Sequence, residues 1–600
     1  AEIEYRQPVG MLLETIYDQP RQVDSSVKDF LVSLAQAITI VVLVLLVTMG
    51  ARSGLLMSLV LLLTILGTFI VMNAVEISLH RVSLGALIIA LGMLVDNAIV
   101  ITEGILINLQ KGYSRLESAV RIVGHTRWPL LGATLISITA FAPIGLSPDD
   151  TGEFTGSLFW VLFISLLLSW LLAITITPFL ASWLFNEPKQ DQPQREPYQS
   201  VFYRLFSSVL LLTLRWRWLS LSLAVAMLVA SVIGFKHVRE GFFPDATLPM
   251  VQVDYWLPQG SDIRATEADI RQIEQDLLKL DGVAQITSTI GRGAERFMLT
   301  YAPERQYPSY AQLLIQTDTA ERLQRLQPEI RRYLGAQYPQ AQTKLTRISI
   351  GPTTKSKIEA RISGPDADVL RRLGQQMMTE VFDRTPGAIN IRHDWRERTP
   401  VIVPRYDEAE GRRLGITQAD LSAAIARNVD GQYSGLVRDG TRLLPVILRP
   451  PQEQRQAPEQ LESLPIFSQT LQQWIDAGQV MRELGVGWED PLIMRRDRKR
   501  TLTVLADPDP DSGLTAAGLF AELRARAEAM PLPPGYSLSW GGEFEAQQDA
   551  NQALFEFIPV GILVMVVLTV LLFGSVRQTL VVWLTVPMAI IGVCIGLLVM

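Results

Sequence analysis

Charge disappears from this chain in long runs and returns in dense blocks. A bilayer core needs about 20 mostly apolar residues per helix. Eight runs meet that length: Phe30–Met49, Gly54–Val75, Val82–Thr102, Trp128–Leu146, Leu158–Phe185, Trp218–Phe235, Phe557–Val576 and Leu580–Met600. Five follow one another closely, the sixth comes after a polar connection, and the last two follow a long charged block. A single run of this kind fits a buried soluble helix. Eight in this order predict a polytopic α-helical membrane protein.

The charged block reads differently. Met250–Pro258 alternates like a strand, and Ile263–Leu280 has helical spacing. Val283–Gly291 and Arg296–Ala302 read as strands around the Gly291-Arg292-Gly293 turn. Tyr310–Leu334 reads as helix and Thr343–Ile350 as strand. The order β-α-β-β-α-β is the split, ferredoxin-like βαβ motif. A second unit of this type starts with a strand at Lys357–Ser363, a helix at Asp366–Phe382 and a strand at Ala388–Asp394. It resumes at Thr501–Ala506, Thr515–Met530 and Tyr536–Trp540, so that about 403–500 is an insertion. The predicted fold class is therefore a polytopic helical membrane protein with an α+β domain of two such modules.

Sliding the chain by 525 residues aligns 30–72 with 555–597 without a gap, with Phe30/Phe555, Arg52/Arg577, Leu59/Leu584, Gly67/Gly592 and Ile70/Ile595 identical. A duplicated bundle is the expectation, each half holding one helix, a large external loop and then further helices. Residue 1 is Ala and Met600 lies inside an apolar run, so the chain is expected to be a fragment of a longer protein.

Composition narrows the function. The net charge of −6 over 600 residues gives no sign of nucleic-acid binding. One cysteine, Cys594, excludes a disulfide framework, and four histidines argue against a structural zinc site. Loop charge sets orientation. Lys111, Arg115, Arg121 and Arg127 follow the third span, and Lys189, Arg195, Arg204, Arg215 and Arg217 follow the fifth. Asp149, Asp150 and Glu153 follow the fourth. The basic loops are cytoplasmic by this rule, which puts 236–556 outside the cytoplasm, as a periplasmic domain on a bacterial inner membrane would be. Neither a nucleophile–base pair nor a phosphate loop is found; Gly351-Pro352-Thr353-Thr354-Lys355-Ser356 lacks the spaced glycines.

One residue carries chemistry. The third span reads Leu-Gly-Met-Leu-Val-Asp-Asn-Ala-Ile-Val-Ile-Thr-Glu-Gly from Leu91 to Gly104. Asp96 sits well inside it, where a carboxylate costs about 2.5–3.5 kcal/mol on insertion scales. Such residues face a bundle interior and serve proton or ion pathways. Low dielectric favours the protonated carboxyl and a nearby cation the ionised one, a combination that can load and release a proton. Asn97 lies about 100° around the helix, and Glu103, seven residues on, returns to nearly the face of Asp96.

The Gly-x-x-x-Asp-Asn-Ala-x-Val-x-x-Glu pattern at 92–103 resembles the fourth transmembrane helix of the resistance–nodulation–cell division (RND) superfamily. Gly67-Thr68-Phe69 and Ile176-Thr177-Pro178 are similar to flanking segments of its drug exporters. The resemblance spans the chain as family helices two to nine. It implies the end of a first periplasmic porter region at 1–29, helices two to six at 30–186, a cytoplasmic link at 187–217 and helix seven at 218–235. It further implies a porter subdomain at 236–350, a second at 351–402 and 501–550, a docking subdomain at 403–500 and helices eight and nine at 557–600. The implied function is proton-driven export of drugs or other amphiphiles by the inner-membrane subunit of a tripartite pump. That subunit would be a secondary transporter and no enzyme, a homotrimer working with a periplasmic adaptor and an outer-membrane channel. The implied proton relay is Asp96, Asn97 and Glu103, with the proton gradient in place of a cofactor. Many relatives carry a second Asp where Asn97 stands and Glu-Asn where this chain has Glu103-Gly104, and the partner lysine belongs to helix ten. The Gly291-Arg292-Gly293 turn resembles the loop at the drug pocket, with Thr287, Ser288, Thr289 and Ile290 where aromatics often stand. Arg292 is either a pocket residue or an exposed turn residue, whereas Phe297 and Tyr301 are expected to pack in a core. The alternatives are a heavy-metal exporter of the same superfamily, for which Met298, Met377, Met378, Met481, Met494 and Met530 are the soft side chains, and a proton-gradient-driven protein-export or assembly factor.

Overall fold

The computed structural model describes residues 15–148, 150–185, 201–238, 241–243, 246–349, 351, 354–451 and 458–599. Residues 1–14, the expected loop and link charges Asp149, Lys189 and Arg195, Pro352 and Thr353, and 452–457 of the expected docking segment lie outside the described residues. Two compact units result: 1–244 with 513–520 and 541–600, and 245–512 with 521–540.

Eight helices of the described residues are long and apolar enough to cross a membrane. In the first unit α1 (Gln19–Met49) and α2 (Ala51–Ala74) are separated by Gly50 alone, at φ 82. Only glycine adopts that backbone without strain. One turn later the helices approach so closely that a Cβ on Gly54 would lie 2.8 Å from the Leu46 Cα. Then come α3 (Arg81–Gln110), α4 (Arg115–Gly145) and α5 (Asp150–Leu184). α3 packs against α1, α2, α4 and α5, and so buries Leu84, Leu87, Leu91, Leu94, Ala98, Ile101 and Ile105. Close packing of this kind, rather than transfer from water, holds helices together in lipid. The outer faces stay apolar, with Leu55 and Ile70 among the exposed residues of α2. The helix Glu543–Phe573 runs along α4: a Cβ on Gly132 would meet Leu572, and one on Gly561 would meet Pro143.

The helix pair at the C-terminal end repeats α1–α2. Shifted by 525, Gly50 falls on Ser575, beside Gly574, which ends the helix Glu543–Phe573 at φ 59. The copies differ where Pro587 stands. There the second helix breaks into Val576–Thr585, a 3-10 turn at Val586–Met588 and Ala589–Val599, because proline removes a backbone donor and crowds the preceding turn.

The second unit contains two sheets of the same topology. The first has β1 (Met250–Trp256), β2 (Val283–Ile290), β3 (Tyr310–Thr317) and β4 (Gln342–Arg347) in the order β2-β3-β1-β4. The helices Ile263–Leu277 and Ala320–Gln337 cover one face, where Val251, Val253, Leu313 and Ile315 meet Ile270, Ile273, Leu323 and Ile330. Two sequence expectations fail here. Tyr310–Thr317 is a strand and its helix begins only at Ala320, while Arg296–Ala302 is irregular. Tyr-Ala-Gln-Leu-Leu-Ile-Gln-Thr lies inside the sheet and is buried almost throughout, so it lacks the alternation that marks a half-buried strand. The 296–302 segment instead lies over the sheet. Its Tyr301 hydroxyl donates to Gln312 Oε1 at 2.6 Å, and Phe297 stacks on the Tyr301 ring at 4.7 Å.

The second sheet starts with β5 (Ile358–Gly364) and β6 (Ala388–His393). An inserted segment follows, with β7 (Thr399–Tyr406), β8 (Gln432–Asp439), β9 (Arg442–Leu448), β10 (Pro465–Ser468), β11 (Gln473–Asp476) and β12 (Met481–Glu489). β7 and β12 pair at its base. β13 (Arg495–Arg496), β14 (Lys499–Pro508) and β15 (Ser537–Gly542) complete the sheet: β14 lies between β5 and β6, and β15 flanks β5. Buried polar groups tie the two sheets. Lys344 Nζ on β4 meets Asp507 Oδ2 on β14 at 3.0 Å and donates to the Lys355 carbonyl at 2.8 Å. Asn390 on β6 and the Lys357 amide also donate to Asp507, at 3.2 and 2.9 Å.

Candidate functional site

The site is built on α3. A capping box starts that helix, the Ser83 hydroxyl accepting from the His80 amide at 2.9 Å. The apolar run then carries it through the centre of the bundle. Asn97 points into this core and is 6% exposed. Its Nδ2 donates to Ser169 Oγ on α5 at 3.3 Å and, at 3.5 Å, to Thr134 Oγ1 on α4. Ser169 Oγ donates in turn to the Leu94 carbonyl at 2.7 Å, and Thr134 Oγ1 to the Leu130 carbonyl at 2.8 Å. Three helices are thus joined at one level by side chains that satisfy each other, as polar groups inside a membrane must be.

Asp96, one residue earlier, falls on the other side of α3. It is exposed in the unit, on a stripe that also contains Gly92, Val100, Glu103 and Ile107. Glu103 is exposed as well, about two turns or roughly 10 Å along the helix. The three expected relay residues therefore divide. Asp96 and Glu103 share a face, and Asn97 is part of the packed core. Chemically the stripe offers two carboxyl groups; the core offers an amide that neither gains nor loses a proton.

Arg292 lies elsewhere, in the exposed turn after β2. Gly291 holds φ 82 there, and Arg292 Nη1 pairs with Glu295 Oε1 at 2.8 Å, with the Arg292 side chain 51% exposed. Of the methionines, Met377 is buried in the second module, Met298 lies in the irregular 296–302 segment and Met481 on β12. Among the described residues no group of three or more His, Cys, Asp or Glu side chains converges.

Sequence reasoning missed Thr134 and Ser169. A faint signal existed, since Ser169 is a lone polar residue in the apolar Leu166-Leu167-Leu168-Ser169-Trp170-Leu171 stretch. Its partner, however, is 72 residues away.

A model of the AcrB/AcrD/AcrF family matches residues 1–600. The chain belongs to this family. It is accordingly an RND-type permease chain, a multi-pass protein of the inner membrane. Among its relatives, the cobalt-zinc-cadmium resistance protein CzcA of Cupriavidus metallidurans is 24% identical over 622 residues, 99% of this chain and 57% of that protein. The cation efflux system protein CusA of Escherichia coli is 24% identical over 612 residues, 98% of this chain and 57% of CusA. A crystal structure of a heavy metal efflux pump matches the fold with a TM-score of 0.82 at 22% identity, covering 99% of this chain and 59% of that one. The chain thus spans 57% of the length of these curated relatives.

Proposed function

We propose that this chain is part of a proton-driven RND exporter in which Asp96 carries the proton and metal cations are the substrate class. The observation that carries the proton assignment is a membrane-depth carboxyl on an otherwise apolar helix, facing away from the packed half-bundle. A carboxyl there costs too much to be kept for packing alone and faces the side from which further helices can reach it. Glu103, on the same stripe, continues the path toward the cytoplasmic end. Asn97 acts as a pin between helices and carries no proton.

The relatives support metal export over the drug export expected from the drug-exporter motifs, because CzcA and CusA are named for cobalt-zinc-cadmium resistance and cation efflux. A trimer working with an adaptor and an outer-membrane channel belongs to the same proposal. The β8–β9 hairpin supports self-association: it exposes Tyr433, Leu436, Val437, Leu443, Leu444, Val446 and Ile447, an apolar surface expected to be covered in an assembly.

The test uses the full-length transporter that contains this chain, in proteoliposomes under an imposed proton gradient. Proton flux is followed with Co2+, Zn2+ or Cd2+ inside, and separately with dyes and detergents. Asp96→Asn is expected to abolish substrate-dependent flux while the melting midpoint stays unchanged. Undiminished flux in that variant would sink the Asp96 assignment. Flux stimulated by dyes and by none of the metals would return the substrate class to amphiphiles.

A further inference from the structure

Between the inserted segment and the second sheet the chain reads Arg495-Arg496-Asp497-Arg498-Lys499-Arg500. These residues form a tight hairpin. Arg495 pairs with Arg500 and Arg496 with Lys499 across antiparallel strands, and the Thr501 amide donates to the Met494 carbonyl at 3.0 Å on the next rung. Asp497 and Arg498 make the two-residue turn, at φ 50 and φ 66.

Each feature works against folding. Both cross-strand pairs are cation against cation, and like charges directly opposite destabilise a sheet. A two-residue turn with both φ values positive prefers Asn-Gly or Asp-Gly, so Arg498 stands where glycine would be free of strain. Asp497 is the lone acid of the hairpin, 4.0 Å from Arg496, and Arg500 donates to the Pro365 carbonyl at 2.5 Å. Among the described residues no carboxylate lies within ion-pair distance of Arg495, Arg498 or Lys499. All residues from Arg495 to Lys499 are exposed. Strained backbone and directly opposed like charges in one short hairpin are features that a bound partner of opposite charge would compensate.

We propose that this hairpin is a docking point for an acidic protein partner, independent of which substrate the transporter carries. Four of its five cations are arginines, whose planar forks each grip a carboxylate through two parallel hydrogen bonds. The hairpin also fixes their spacing. Arg495 and Arg500 share one face, about 5 Å apart, and Arg496 and Lys499 the opposite one, so each face offers a close pair of cations to neighbouring carboxylates.

The test is fluorescence anisotropy of fluorescein-labelled poly-L-glutamate, titrated with the whole chain in neutral detergent micelles. Wild type is expected to bind at low salt, with binding lost as ionic strength rises to about 0.5 M. The triple variant Arg495→Gln/Arg496→Gln/Arg498→Gln is expected to bind at least about tenfold more weakly. Arg498→Gly keeps the turn and relieves its strain, so it is expected to melt no lower than wild type and still bind about two- to threefold more weakly, which separates charge from folding. Equal binding by wild type and the triple variant would overturn the proposal. So would wild-type binding to phosphatidylglycerol vesicles, lost in the triple variant, with no binding to polyglutamate, because the hairpin would then recognise lipid phosphate instead of protein.

Discussion

Replacing Lys344 with methionine removes the ammonium that faces Asp507 and leaves that carboxylate among neutral donors. Both side chains are nearly buried, Lys344 at 10% and Asp507 at 13% exposure. Burial by itself pushes the Asp507 carboxyl up, but Lys344, the Lys357 amide and Arg392 together hold it below the usual aspartate value. Breaking a buried pair by removing one partner costs about 3–5 kcal/mol. Asp507 keeps the Lys357 amide and Asn390, so the lower end, ~3 kcal/mol, is expected at neutral pH. For a unit of about 290 residues that loss lowers the melting midpoint by about 5 °C. The sign with pH follows from the depressed carboxyl. Its contribution in wild type is present above the unfolded value of 3.8 and is lost as pH falls through the lower folded value. In Lys344→Met the carboxyl protonates more readily, so the gap between variant and wild type narrows as pH falls toward about 4. The assay is tryptophan-fluorescence melting of the detergent-solubilised protein from pH 8 to pH 4, with Lys344→Met/Asp507→Asn as the closing corner of a double-mutant cycle. The double variant is expected to be more stable than Lys344→Met alone, because no unpaired charge remains buried. A midpoint within about 2 °C of wild type for the single variant, or a double variant less stable than it, would refute the reasoning.

Other consequences are open to equally direct measurement. His393, buried beside Arg371, has its imidazole pushed down to about 4 from 6.5, so it is neutral in the fold. The stability this contributes is complete above pH 6.5 and is lost as pH falls toward 4, and His393→Gln should flatten the melting profile over that interval. Gly54→Leu would drive a side chain into the Leu46 backbone, which cannot yield, so the α1–α2 hairpin should open and the yield of folded protein collapse; Gly85→Ala, where a Cβ meets nothing within 4 Å, should be tolerated. Asn97→Asp introduces a charge between the neutral hydroxyls of Thr134 and Ser169, and should lower the melting midpoint more at pH 8 than at pH 5. An unchanged midpoint at both pH values would show that the three-helix contact is looser than its geometry.

The membrane half of the architecture was legible along the chain because lipid acts on each helix separately. A span must be long, apolar and internally hydrogen-bonded whatever surrounds it, so eight runs gave eight helices. The depth of Asp96 followed from the same count, and the offset of Asn97 from it followed from helical pitch. The repeated βαβ order was legible too, because strands and helices with one wet face carry their period in the sequence. Where a strand is covered on both faces the period vanishes, which is why Tyr310–Thr317 passed for helix until its two neighbours, β1 and β2, were in place. What the tertiary structure alone decided was which polar groups meet. Asn97 finds Ser169 across 72 residues, and Lys344 finds Asp507 across sheets whose strands come from distant parts of the chain. Such pairings depend on packing angles set by every other contact. The sequence therefore determined that a carboxyl lies in the membrane, and only the folded bundle determined that it faces outward while the amide beside it is locked in the core.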